Sequence, residues 1–99
     1  MPPTVAACQL AVADLDPAAN LAAVESRLDG LPESVDIALF PEYALTGFVP
    51  DRPIEDAALR IGGERLDRLH DLAAAQQTAL LVGFVERDGD DRYNTTAYL

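Results

Sequence analysis

The stretch IALFPEYALTG, residues 37–47, is an apolar run that stops at Pro41 and then presents one carboxylate, Glu42, between a proline and a tyrosine. A carboxylate at the rim of a sheet can work as a general base if the backbone holds it and apolar neighbours partly desolvate it. Pro41 fixes the backbone just before Glu42, and Gly47 lets the chain turn away after it. Phe40 and Phe48 are the neighbours placed to desolvate it. The plainer reading is a solvated loop glutamate, and because one carboxylate does not make an active site, residue chemistry alone favours it. Tyr43 and Phe48 are candidates to line a substrate pocket beside Glu42, and equally candidates to pack its loop.

The other reactive side chains point to less. Cys8 lies in an apolar run with no Lys, His or helix start beside it to activate the thiol, so it reads as a small hydrophobe. His70 falls one position off the apolar stripe of its helix and reads as a partly exposed helix residue. Gly62 and Gly63 precede that helix, but neither G-x-G-x-x-G nor P-loop spacing is present, so they read as helix entry and not as a phosphate cradle. One His and one Cys make no ligand cluster, so no metal is expected.

The elements that must position Glu42 follow from apolar spacing. Residues 4–12, TVAACQLAV, read as a buried strand. Asp16 and Pro17 are a helix-start pair, with Leu21, Val24 and Leu28 as its apolar stripe and Gly30 and Pro32 as its end. VDIALFP is a second strand, and strand, helix, strand predicts a parallel pair. Residues 43–63 read as a long loop with one helical turn near 54–59. An amphipathic helix follows, with Leu66, Leu69, Leu72 and Ala73 on one face and Glu64 and Arg68 at i, i+4 on the other. Residues 78–86 are a third strand, in which Gly83 marks a close approach of backbone or side chains. Asp-Gly at residues 88–89 is a hairpin turn into a fourth, antiparallel strand. That strand reaches Leu99 without turn chemistry, so the chain is expected to continue in a longer protein.

Composition limits the function classes. A chain of 99 residues, 49% hydrophobic, suits one small globular domain. No apolar run approaches the ~20 residues of a membrane span. VAAC resembles a lipoprotein cleavage box, but it lacks both a basic and a long apolar leader region, which argues against export. A single cysteine fits a cytoplasmic setting. Seventeen acidic residues against seven arginines and no lysine give a net charge of −10, which repels nucleic acid. Such a surface suits either a protein selected for strong salt or an ordinary acidic cytosolic protein.

Several stretches in order resemble the nitrilase, or carbon-nitrogen hydrolase, superfamily. VAACQLAVADLDPAANLAAV is similar to its opening strand and helix, including Gln9 and Asn20; DIALFPEYALTGF resembles its glutamate motif; LLVGFVERDGDDRYNTTAYL resembles its following hairpin. The resemblance runs from Thr4 to Leu99. It implies an α/β fold, the N-terminal part of a four-layer α-β-β-α sandwich, with residues 1–99 as the N-terminal portion of the hydrolase domain. It also implies a Glu-Lys-Cys triad with Glu42 as the general base, no cofactor, and a homodimer or larger homo-oligomer acting on a small amide, carbamoyl or nitrile substrate.

The sequence departs from that pattern in one respect. It has no lysine, and the family's lysine and nucleophilic cysteine both follow the hairpin with which these residues end, so Cys8 is not the nucleophile. The resemblance therefore implies a hydrolase when the protein is longer and an inert chain when it is not. Two alternatives stand beside it: a non-catalytic α/β binding or interaction module, and the glutaminase domain of an amidotransferase. The membrane-spanning acyltransferase branch has no counterpart in these residues.

Overall fold

A computed structural model describes residues 2–49 and 57–99. The first helix begins where the chain can satisfy its free amides. Asp16 Oδ1 accepts the Ala19 N–H at 3.1 Å, and Pro17 occupies the first turn of α1 (Pro17–Asp29). Asn20, Val24 and Leu28 form its buried stripe. The helix stops at Gly30, whose φ of −86° is right-handed, so the stop does not use a left-handed cap. The second helix, α2 (Glu64–Gln76), starts after Gly63 with Glu64 and Asp67 in its first turn, where acidic side chains suit the helix dipole.

The strands are β1 (Val5–Ala7), β2 (Ile37–Leu39), β3 (Ala79–Asp88) and β4 (Asp91–Tyr98), ordered β1-β2-β3-β4 in one sheet. The pairs β1/β2 and β2/β3 are parallel, and β3/β4 is antiparallel around the Gly89 turn. Each parallel pair needs a crossover, supplied by α1 and then α2. Ala38, Leu80, Val82 and Phe84 are completely buried on the face that packs with Val24, Leu28, Leu66 and Leu69. Each large side chain there contributes about 1.5–3 kcal/mol relative to exposure. The alternate residues Ile37, Leu39, Ala79 and Leu81 are only partly buried, so the opposite face is apolar and incompletely covered by the described residues.

Four expectations need correction. The first strand spans Val5–Ala7 and not residues 4–12. The reason lies in its partner: Cys8 N donates to Leu39 O at 2.8 Å, and the next places in that register face Phe40 and Pro41, where β2 has ended and the proline lacks an N–H. The strand is not buried either, with Val5 48% exposed, because β1 is an edge of the described sheet. In the proposed helical turn near 54–59, residues 54–56 lie outside the described residues, and Leu59 forms a parallel bridge with Glu86 instead. Arg68, on the polar face of α2, pairs with Glu25 across the two helices. The second strand is likewise shorter than VDIALFP, spanning Ile37–Leu39; the other elements form where the spacing placed them, β3 extending two residues beyond the expected strand to Asp88.

Candidate active site

Glu42 follows β2 at the carboxyl end of the parallel strands, the end where open α/β sheets bind ligands. What holds it there is the edge of β3, which three separate segments share in succession. Near its start, β2 occupies that edge, and Phe40 N extends the pairing to Leu81 O at 2.8 Å. The turn at residues 41–47 comes next: Leu45 N donates to Gly83 O at 3.1 Å, and Val85 N donates to Thr46 Oγ1 at 3.1 Å. Leu59 takes the last place, donating to Val85 O at 2.9 Å and accepting from Arg87 N at 2.7 Å. The Glu42 turn is thus spliced into the sheet where a strand would otherwise run.

The splice depends on Gly83. A Cβ there would lie 2.9 Å from Tyr43 N, 3.0 Å from Glu42 Cα and 3.0 Å from Pro41 O, so a larger residue would displace the backbone that carries the carboxylate. This is the close backbone approach that a glycine inside an apolar strand predicts. Within the turn, Ala44 N donates to Pro41 O at 3.1 Å and Gly47 N to Tyr43 O at 2.8 Å. Tyr43 has a φ of 57°, a left-handed conformation that a bulky residue adopts only where surrounding contacts fix it.

A second clamp comes from α1. The Asn20 side chain, 2% exposed, donates through Nδ2 to Ala13 O at 2.7 Å and to Leu45 O at 3.1 Å, while its Oδ1 accepts from Ala13 N at 2.8 Å. Leu15 N donates to Thr46 O at 2.8 Å. Gly47, at φ 65°, lies against this segment so closely that a Cβ would come within 2.6 Å of Asp14 Cα. The segment after β1, α1 and β3 therefore all fix the Glu42 turn.

The side chains stand as follows. Glu42 is exposed on this fixed backbone. The expectation that Phe40 and Phe48 desolvate it is not met: Phe40 turns into the core, and Phe48, 45% exposed, stacks on Tyr43 with ring centroids 5.0 Å apart and planes 18° from parallel. Tyr43 and Phe48 thus form a single aromatic platform on the Glu42 loop. Cys8 is partly buried, and its thiol lies 3.9 Å from Ala6 O. Burial pushes that thiol up from its ordinary value, with the Arg27 guanidinium partly opposing, and this keeps it protonated where a nucleophile would need to ionise. Arg27 is a cation the sequence reading did not place near Cys8. The open hollow around Cys8 and Arg27 does not include Glu42. His70 is exposed on α2, and Gly62 and Gly63 serve as helix entry.

Thr46 is the residue that sequence reading missed. The available signal was a hydroxyl within the otherwise apolar run before Gly47, where a buried polar group needs a partner.

The comparisons follow this geometry. The family model described as carbon-nitrogen hydrolase matches residues 4–99. A comparison with curated proteins gave no match. Among solved structures, the chain is similar to XC1258 from Xanthomonas campestris, a CN-hydrolase superfamily protein with an arsenic adduct in its active site. Here the TM-score is 0.79 at 20% identity, over 95% of this chain and 38% of that one. It is similar to an amidase from Nesterenkonia sp. with a TM-score of 0.70 at 23% identity, over 95% of this chain and 36% of that one. It is also similar to a glutamine-dependent NAD+ synthetase from Acinetobacter baumannii, with a TM-score of 0.63 at 25% identity, over 96% of this chain and 18% of that one. The first of these likenesses gives the fold: among the described residues, a four-stranded mixed sheet with two helices, forming part of the hydrolase sandwich. The chain spans well under half the length of any of the three. With the family model covering nearly all of its residues, the chain belongs to the carbon-nitrogen hydrolase family.

Proposed function

We propose that this chain is the N-terminal part of an enzyme that hydrolyses a non-peptide carbon-nitrogen bond in a small amide, carbamoyl or nitrile substrate. Glu42 acts as the general base. It takes the proton of a cysteine thiol as the sulfur attacks the substrate carbon and passes that proton to the nitrogen, which leaves as ammonia or an amine (for a nitrile, after one water has added to the thioimidate). With a thioester remaining, it takes a proton from the water that hydrolyses the thioester and returns it to the cysteine sulfur as the acid is released. A lysine stabilises the tetrahedral oxyanion. Both the lysine and the nucleophilic cysteine come from chain beyond Leu99, so residues 1–99 alone are inert. The protein works in the cytoplasm as a homodimer or larger homo-oligomer, and it acts on a small molecule and not on nucleic acid or membrane.

The observation that carries this reading is the fixed Glu42 backbone: a carboxylate at the carboxyl end of parallel strands, on a turn pinned to β3 and α1. The partly bare face at Ile37, Leu39 and Leu81 also supports further chain packing there. A general base contributes about 10²- to 10⁴-fold in rate, or roughly 3–5 kcal/mol of barrier. Ammonia release from a panel of small amides and nitriles by the full-length protein is the test. Glu42→Gln should lower kcat by that factor, and an unchanged kcat would rule out the base assignment.

The likeness to a glutamine-dependent NAD+ synthetase favours one second reading, a glutaminase domain that supplies ammonia to a synthetase domain. In that case glutamine alone among the amides should release ammonia. A protein inert on the whole panel, and indifferent to Glu42→Gln, would instead be a non-catalytic binding module.

A further inference from the structure

Thr46 carries a polar side chain with no accessible surface, in a cluster of otherwise apolar residues. Its hydroxyl accepts from Val85 N at 3.1 Å and donates to Gly47 O at 2.9 Å. Burying a hydroxyl is unfavourable unless both of its functions are used, and here both are. Oγ1 also does something a backbone carbonyl cannot do at this point. The turn at residues 41–47 curls away from β3 after Leu45, so Val85 N has lost its strand neighbour, and the threonine side chain reaches across to replace it. The same residue is held through its main chain, with Thr46 O accepting from Leu15 N at 2.8 Å and Thr46 N donating to Tyr43 O at 3.3 Å. Thr46 is therefore the point at which β3, the segment before α1 and the residue after Glu42 are joined.

We infer that Thr46 is a positioning residue for Glu42, its hydroxyl fixing the turn that carries the carboxylate by standing in for the missing strand partner of Val85. This rests on the proposed role of Glu42 as base. Asn20 shares the task from the opposite side through Leu45 O. Without the Thr46 hydroxyl, the two hydrogen bonds that tie the turn after Glu42 to β3, at Gly83 and Val85, reduce to one, and the turn gains freedom to shift along β3. A displacement of about 1 Å at a reacting group costs on the order of 10²-fold in rate.

The test compares the full-length protein with its Thr46→Val and Thr46→Ser variants. Readouts are kcat per titrated active site, KM on a small amide, and near-UV dichroism. The expected result is a Thr46→Val protein with native dichroism, KM within about twofold and kcat lower by about 10- to 100-fold. Thr46→Ser, which keeps the hydroxyl, should recover most of that loss. Wild-type kcat per site in folded Thr46→Val would overturn the inference, as would a Thr46→Ser protein no better than Thr46→Val. If Thr46→Val does not fold, amide exchange in the wild-type protein decides: Val85 N–H should be protected to the same degree as Phe84 and Glu86, and fast exchange at Val85 alone would overturn the clamp. An inert wild type that matches Glu42→Gln would remove the hydrolase reading, while the Val85 exchange still tests the clamp by itself.

Discussion

Two short parallel strands lead to the two most reactive side chains of this chain, β1 to Cys8 and β2 to Glu42, and the chain treats their ends differently. After β1, one backbone hydrogen bond from Cys8 N to Leu39 O prolongs the pairing, and the thiol then lies beside an open edge. After β2, the turn is gripped by Gly83, Val85, Asn20 and Leu15. The position at a strand's end is the same in both cases. The difference is that β2 has neighbours on both sides, and three of the groups that grip the turn, Gly83, Val85 and Asn20, are buried. A reactive residue at a strand end becomes a candidate for catalysis when the surrounding elements leave its backbone no alternative place.

Substitutions can break or sharpen this contrast. Gly47→Ala should have the largest effect, because it combines a left-handed φ, costing roughly 1–2 kcal/mol, with a clash against Asp14 backbone of about 1–3 kcal/mol. Urea denaturation midpoints would measure it, and a midpoint close to wild type would mean that the turn is less tightly held than its contacts indicate. Asn20→Leu keeps the branching of the side chain but leaves Ala13 and Leu45 without its hydrogen bonds, and should lose about 1–3 kcal/mol in the same assay. Gly83→Ala should destabilise by about 1–3 kcal/mol and also move the Glu42 backbone, visible as amide chemical-shift changes at Glu42 and Tyr43; no change there would disconnect Gly83 from the site.

The opposite strand end should respond least. Cys8→Ala is expected to cost no more than about 1 kcal/mol. Because the folded thiol holds its proton to higher pH than an unfolded one, Cys8 should react with iodoacetamide more slowly than free cysteine at pH 8. The sign for stability follows from the same shift. Once pH rises through the ordinary thiol value of 9.0, the unfolded chain binds fewer protons than the folded one, so the contribution of Cys8 to stability falls with increasing pH. Alkylation as fast as that of free cysteine would place the thiol in solvent and weaken the comparison.

Much of the fold could be read from local signals. Asp16 and Pro17 announced α1, the stripe of Leu66, Leu69 and Ala73 announced α2, and Asp88 with Gly89 announced the hairpin. Glu42 and Gly83 were both identifiable, but their adjacency was not, because no pattern in the sequence reports which backbone a strand glycine admits. The end of β1 escaped for a similar reason, since it is decided by Pro41 on the neighbouring strand. Arg68 and Glu25 lie 43 residues apart, so helical spacing gives no sign of their pairing. Thr46 and Leu59 were hidden within what reads as loop, yet both lie on the edge of β3.

The three-part sharing of that edge has a consequence for the order in which the molecule assembles. Thr46 and Val85 are 39 residues apart, so the entropy of closing that long loop must be lost before their contact can form. Neither helix can bring them together alone. The site should therefore condense late, after β2, α2 and β3 have met, and variants at Thr46 should speed unfolding while leaving the folding rate nearly unchanged. Stopped-flow folding of Thr46→Val, which removes the hydroxyl, would show this, and a change confined to the folding arm would place the turn in the nucleus instead.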